Sequence, residues 1–132
     1  MKRYCIAKII GDGTENNPYR SALKNYNDIN HEFGEIAQDP ITGQPTHTFV
    51  LAIIKTVNIS RLIADKDIDV LPDFPLDGKM SAMQTATKNK LADALTKYGV
   101  SIGGADGFRD AIRTIGRVIK PDFDENNFDL NE

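Results

Sequence analysis

Strand-like patterns of apolar and polar positions fill the first half of this chain, and helical spacing fills the second. Tyr4 to Ile10 (YCIAKII) is rich in β-forming residues and stops at Gly11-Asp12-Gly13, which predicts a first strand. Gly11 to Asn30 is broken by glycine, proline and asparagine and reads as a long ordered loop, with one helical turn at most near Ser21 to Tyr26. Loops of that length in a compact domain are uncommon and tend to be functional. His31 to Ala37 and Thr46 to Thr56 flank Gln38-Asp39-Pro40-Ile41-Thr42-Gly43-Gln44-Pro45, where proline presets φ and glycine accepts positive φ. That is a β-hairpin. Its second arm holds the unbroken run Phe49 to Ile54, expected of a strand buried on both faces.

Further on, Asn58 or Ser60 is placed to cap a short helix running to about Asp65, and Ile68 to Leu71 reads as a fourth short strand. Ser81 to Tyr98 sets Met83, Leu91, Ala94, Leu95 and Tyr98 on one helical stripe. Ser81 with Gln84 has the form of a capping box, Thr87 is a rival start, and Gly99 supplies the stop. After Val100 to Gly104, Asp106 is placed to cap a second helix ending near Lys120. Its apolar set is Phe108, Ala111, Ile112, Ile115, Val118 and Ile119, and Pro121 closes it. The resulting expectation is an α+β fold: a small, mainly antiparallel sheet of strand, hairpin, short helix and strand, compatible with a ferredoxin-like split βαβ, with two C-terminal helices packed on it. Residues 1–120 form a single domain in this reading, and 121–132 are an acidic tail unless Phe123, Phe128 and Leu130 anchor it.

Composition narrows the function classes. With 132 residues, 40% hydrophobic and 27% charged, the chain is of ordinary single-domain size and can bury one core without staples. The formal charge of −3 argues against non-specific binding to a phosphate backbone, though not against a local basic face. The single cysteine, Cys5, cannot form an internal disulfide and lies in an apolar run with no basic activator near it in sequence, so an inert core thiol is expected. No apolar stretch is long enough to span a membrane, and no signal-peptide pattern follows Met1-Lys2-Arg3. The expected location is the cytoplasm of the producing cell.

Candidate chemistry is sparse. The loop Gly11 to Arg20 carries acids and amides, but an EF-hand would need glycine where Asn17 stands and glutamate where Leu23 stands. A phosphate cradle would need a Gly-Lys-Ser/Thr ending. A rigid turn satisfying its own polar groups is the plainest reading of that loop; partner recognition through Tyr19 and Arg20, residue types that dominate interfaces, stands beside it. Arg109, Arg113 and Arg117 recur at i, i+4 and i+8 and share one helix face. That face is a solvated or internally paired surface, a contact for an acidic protein, or a phosphate-reading stripe on helix 106–120. Asp110 dilutes it. Gly103-Gly104 ahead of Asp106 reads as a plain connection rather than an anion nest. His31 and His47 lie too far apart along the hairpin to share a metal, and Asp65, Asp67, Asp69, Asp73 and Asp77 punctuate turns. No catalytic residue, cofactor or metal is expected.

Ile9-Ile10-Gly11-Asp12-Gly13-Thr14 with Asn17-Pro18-Tyr19-Arg20, together with Ala64 to Pro72, resembles small functionally unassigned proteins encoded in the structural-gene clusters of tailed bacteriophages. The resemblance implies a virion-associated or assembly protein and supplies no functional residues. The sequence thus points to a non-enzymatic interaction or structural protein, whose partners are other virion proteins or a second copy of itself. A nucleic-acid-binding regulator is the alternative.

Overall fold

A computed structural model describes residues 3–27, 31, 32, 34–55, 59–71, 79, 82–100 and 107–124. Within it the chain divides into two compact units, Met1–Val70 and Leu71–Glu132. The first is a β-sheet with short helical turns, the second is helical, and the chain as a whole is α+β.

In the first unit, β1 (Arg3–Ile10) is the axis. β4 (Phe49–Ile54) pairs along one of its edges, from Arg3 opposite Ile54 to Lys8 opposite Phe49. Two short strands share the other edge end to end. β2 (Arg20–Ser21) stands opposite Ile10 and Ile9, and β5 (Ile68–Val70) opposite Ala7 to Cys5. β3 (His31–Glu32) lies outside β4. Every pairing is antiparallel. Along the sheet the order β5-β1-β4-β3 sets β1 parallel to β3 with β4 between them, and β4 parallel to β5 with β1 between them, the strand arrangement expected of a split βαβ; the segment after β1 folds back as β2 where a first crossover helix would stand.

That return is the main departure from a simple loop. Arg20 and Ser21 bond back onto β1, and the Ser21 hydroxyl then accepts from the Leu23 N–H at 3.1 Å to start a 3-10 turn, Ala22–Asn25. The hairpin between β3 and β4 is as its turn chemistry predicts, but its ladder is uneven. Gln38 bridges Pro45, and His31 pairs with Ile54. From one pair to the other the first arm advances seven residues and the second nine, and among the described residues of the first arm only His31–Glu32 is strand.

The core on one sheet face gathers Cys5 and Ala7 from β1, Val50, Ala52 and Ile54 from β4, and Ile68 and Val70 from β5, with Leu23 and Leu62 over them. Phe49, Leu51 and Ile53 point to the other face and are buried as well. The unbroken apolar run of β4 reflects burial on both sides.

Cys5 sits in that cluster. Burial first, and the negative charge of Asp69 second, push its thiol far above the ordinary value of 9.0. The folded state keeps a proton that the unfolded chain releases. This contribution is fully present below pH 9.0 and is lost as pH rises, by about 1.4 kcal/mol per pH unit while the folded thiol stays protonated. Urea midpoints measured between about pH 8 and about pH 10.5 are expected to fall steeply for the wild type and less steeply for Cys5→Ala. Parallel curves would assign the alkaline loss to other groups.

α1 (Ser60–Ile63) precedes β5, and its N-terminal flanking residue is Ile59, which offers no side-chain cap. Ser60 is already helical, and Asn58 lies outside the described residues. A side-chain cap is likewise absent at both helices of the second unit. α2 (Thr85–Lys97) begins after Gln84 rather than at Ser81, which lies outside the described residues, or at Thr87. α3 (Phe108–Ile119) begins after an extended Gly107, one residue beyond Asp106, which also lies outside them.

The ends and faces of these helices follow the pattern more closely. Met83, Leu91, Ala94, Leu95 and Tyr98 are all buried. Gly99 takes φ +77°, its N–H donates to Thr96 and that of Val100 to Leu95, a Schellman stop. In α3, Phe108, Ala111, Ile112, Ile115 and Ile119 are buried, while Val118 stands at the rim, 37% exposed. Gly116 joins the buried set because a Cβ there would lie 2.7 Å from the ring of Phe123. The first tail aromatic is thus seated against α3; Phe128 and Leu130 lie outside the described residues.

Candidate functional site

Both turns at one end of the sheet belong to the first unit. The turn that follows β1 is held by its own backbone and short side chains. Gly11 and Gly13 take φ +101° and +83°, which lets the N–H groups of Asp12 and Gly13 both donate to the Asn17 carbonyl at 3.0 and 3.1 Å. Asn17 N–H returns a bond to Thr14 O at 3.1 Å. The Thr14 N–H and hydroxyl donate to Asp12 Oδ1 at 3.0 and 2.6 Å. These bonds hold the exposed Asp12 carboxyl below the usual carboxylate range, so it is anionic at neutral pH.

Tyr19 and Arg20, the two recognition candidates of this loop, have different places. The Tyr19 ring lies across Gly13, whose missing side chain leaves it room: an added Cβ would be 2.6 Å from Tyr19 Cε2. Arg20 is half-buried and donates through Nη1 to Asn17 Oδ1 at 2.8 Å and to the Pro18 carbonyl at 3.1 Å. It acts as a strut that closes the loop.

The turn before β4 is closed in the same manner. Asp39 N–H donates to Gln44 O, and Gly43 N–H to Asp39 O, both at 2.8 Å. The Asp39 carboxylate accepts from the Ile41 and Thr42 N–H groups at 2.7 and 3.2 Å. Ile41 is carried at the apex, 92% exposed.

Because Lys8 of β1 pairs with Phe49 of β4, the turn leaving β1 and the turn entering β4 emerge side by side. A cleft of about 470 Å³ lies between them. The first turn contributes Asp12, Gly13, Pro18 and Tyr19. The second contributes Gln38, Thr42, Gly43 and Gln44. Sequence reasoning found the turn chemistry of the second loop without finding its place beside the first. An isoleucine between Asp-Pro and Thr-Gly was the one local sign that this turn presents more than a reversal.

The arginine candidates belong to the second unit. Arg113 donates to Asp110 Oδ1 at 3.1 Å, an i, i+3 pair on α3, so the residue that dilutes the stripe also ties up its middle member. Arg109 is half-buried and Arg117 exposed.

The other polar groups are structural. Tyr26 donates to Asp65 at 2.5 Å beneath the Arg61 guanidinium, which lies 5.4 Å from the ring centre. That carboxylate bond, and burial after it, raise the Tyr26 hydroxyl above its ordinary value. Asp65 also accepts from the Asp67 N–H at 2.8 Å, so it joins the turn before β5 to the 3-10 turn. His47 bonds Thr46 and meets Phe49 edge-on, while His31 stands at the far end of the hairpin opposite Ile54. Among the described residues, no three His, Cys, Asp or Glu side chains are grouped to hold a metal ion, and no helix is long and apolar enough to cross a membrane. Compared with protein-family models, curated proteins and solved structures, the chain matches none of them.

Proposed function

We propose that this chain is a non-enzymatic interaction protein that meets its partner with the two-turn end of its sheet. The observation that carries the reading is Ile41: a large apolar side chain, 92% exposed, at the apex of a turn whose backbone is fixed by four hydrogen bonds from or to Asp39. An apolar side chain held out on a rigid turn enters a partner pocket with little ordering entropy left to lose. The internal pairing of Arg113 with Asp110 favours this end of the molecule over the arginine face as the contact. With the resemblance of Ile9 to Arg20 and Ala64 to Pro72 to tailed-phage proteins, the setting is a virion or its assembly, and the partner another virion protein.

Sedimentation of assembled particles tests both parts. Wild-type chain is expected to travel with the particles, and Ile41→Asp to remain unbound with an unchanged thermal midpoint. Truncating an interface anchor weakens binding by about thirtyfold or more. Wild-type chain left at the top of the gradient overturns the particle setting. Equal co-sedimentation of the variant overturns the assignment of the contact to this turn.

A further inference from the structure

The cleft beside Ile41 has a chemistry of its own. Ligand sites usually occupy roughly 300–1,000 Å³ and are mostly apolar. This one, at about 470 Å³, falls in the size range but has the opposite lining. Beside Pro18, its side chains are a carboxylate (Asp12), a phenol (Tyr19), a hydroxyl (Thr42) and two carboxamides (Gln38 and Gln44). We propose that it is a binding site for a neutral saccharide.

Elimination carries the first half of the case. No lysine, arginine or histidine lines the cleft, and Asp12 is ionised, so an anion would enter against an uncompensated negative charge. An apolar ligand would strip water from the amides and hydroxyls and return no hydrogen bonds. A single carboxylate among neutral oxygens supplies little of the ligand charge that holds a hard divalent cation.

Complementarity carries the second half. A sugar hydroxyl donates once and accepts twice. Carboxamides answer both roles, and the carboxylate accepts at several lone pairs. Both Thr14 bonds fall on Asp12 Oδ1, so the carboxylate is oriented and still has accepting capacity. A Tyr19 ring on the wall offers a flat surface of the kind that the C–H face of a pyranose covers, with its hydroxyl as a further partner. Gly13 and Gly43, both at positive φ, bring backbone to the wall without side chains in the way. The two turn backbones and the Asp12 carboxylate are fixed before a ligand arrives. The cleft lies at the same two-turn end as the contact proposed above, but Ile41 is not part of its lining, so the two can be tested apart.

The test is an amide NMR titration of the whole chain with glucose, mannose, galactose, N-acetylglucosamine and lactose, with N-acetyl-arginine amide as the cationic comparison. At least one sugar is expected to shift the amides of Gly13, Thr42 and Gly43 with saturation at millimolar concentration. Gln44→Ala, whose side chain is outside the hydrogen bonds that close the turn, is expected to weaken that sugar about tenfold with the spectrum otherwise retained. Ile41→Asp is expected to bind it unchanged. Failure of all five sugars overturns the proposal, as does equal binding by Gln44→Ala. Shifts with the arginine derivative alone overturn it in favour of a cation site.

Discussion

Leu62→Ala is expected to lower the unfolding free energy by roughly 3 kcal/mol, the middle of the range for deleting a buried leucine side chain. Ile63→Ala, one residue on, is expected to change it by less than about 0.5 kcal/mol. The pair is informative because chemistry and sequence position are nearly the same and only exposure differs: 0% at Leu62 and 64% at Ile63. α1 is four residues long and has no side-chain cap, so neither propensity nor capping holds it. What holds it is the burial of Leu62 in the cluster that also contains Cys5, Ile54, Ile59 and Ile68. Removing that side chain opens a cavity and frees the turn that leads into β5. Urea denaturation of the two variants side by side is the measurement, and equal losses would overturn the facing assigned to this turn.

Gly11→Ala is the second large effect, expected at about 3 kcal/mol or more. Residues forced into such backbone regions cost roughly 1–3 kcal/mol by themselves. Here φ is +101°, and the added Cβ would also stand 2.2 Å from the Pro18 carbonyl oxygen, a backbone atom that cannot swing aside. Pro18 would have to move, and with it the Asn17 carbonyl that accepts from Asp12 and Gly13. The comparison is Gly43→Ala. Its φ is +73° and nothing lies within 4 Å of the added carbon, so only the left-handed backbone penalty, about 1–2 kcal/mol, applies. Hydrogen exchange at Asp12 and Gly13 distinguishes a loosened turn from global destabilisation: their protection should collapse in Gly11→Ala well before that of the β1–β4 ladder. Equal stability of the two glycine variants would contradict the close approach of Pro18 to Gly11.

Much of the architecture is legible in the order of residues, and the reasons differ by element. The run Phe49 to Ile54 has no polar position, so only burial on both faces accommodates it. The stripe of α2 and its Gly99 stop are set by helical period and by glycine's access to positive φ, both local properties. Helix starts were less legible. A side-chain cap contributes about 1 kcal/mol, small beside the burial of Leu91, Leu95, Phe108 and Ile112; α3 begins at Phe108, the first residue of its stripe, and α2 at Thr85, rather than at Ser81, Thr87 or Asp106. β2 was hidden because two residues, Arg20 and Ser21, carry no alternation to read. The candidate site was the least legible feature of all. Its two walls lie some two dozen residues apart in sequence and meet only because Lys8 pairs with Phe49, a matter of register that no turn motif encodes.

The closure of the second turn has a consequence for how this molecule diversifies. Asp39 and Gln44 lock the base of that turn across their own backbones, and the Gln38–Pro45 bridge lies just below. Everything between is outside the sheet and contributes nothing to its core. A lineage can rewrite Pro40 to Thr42 without renegotiating the fold, and a designer can graft a foreign hexapeptide there on the same terms. The scaffold is inherited while the apex is free to follow whatever surface it faces.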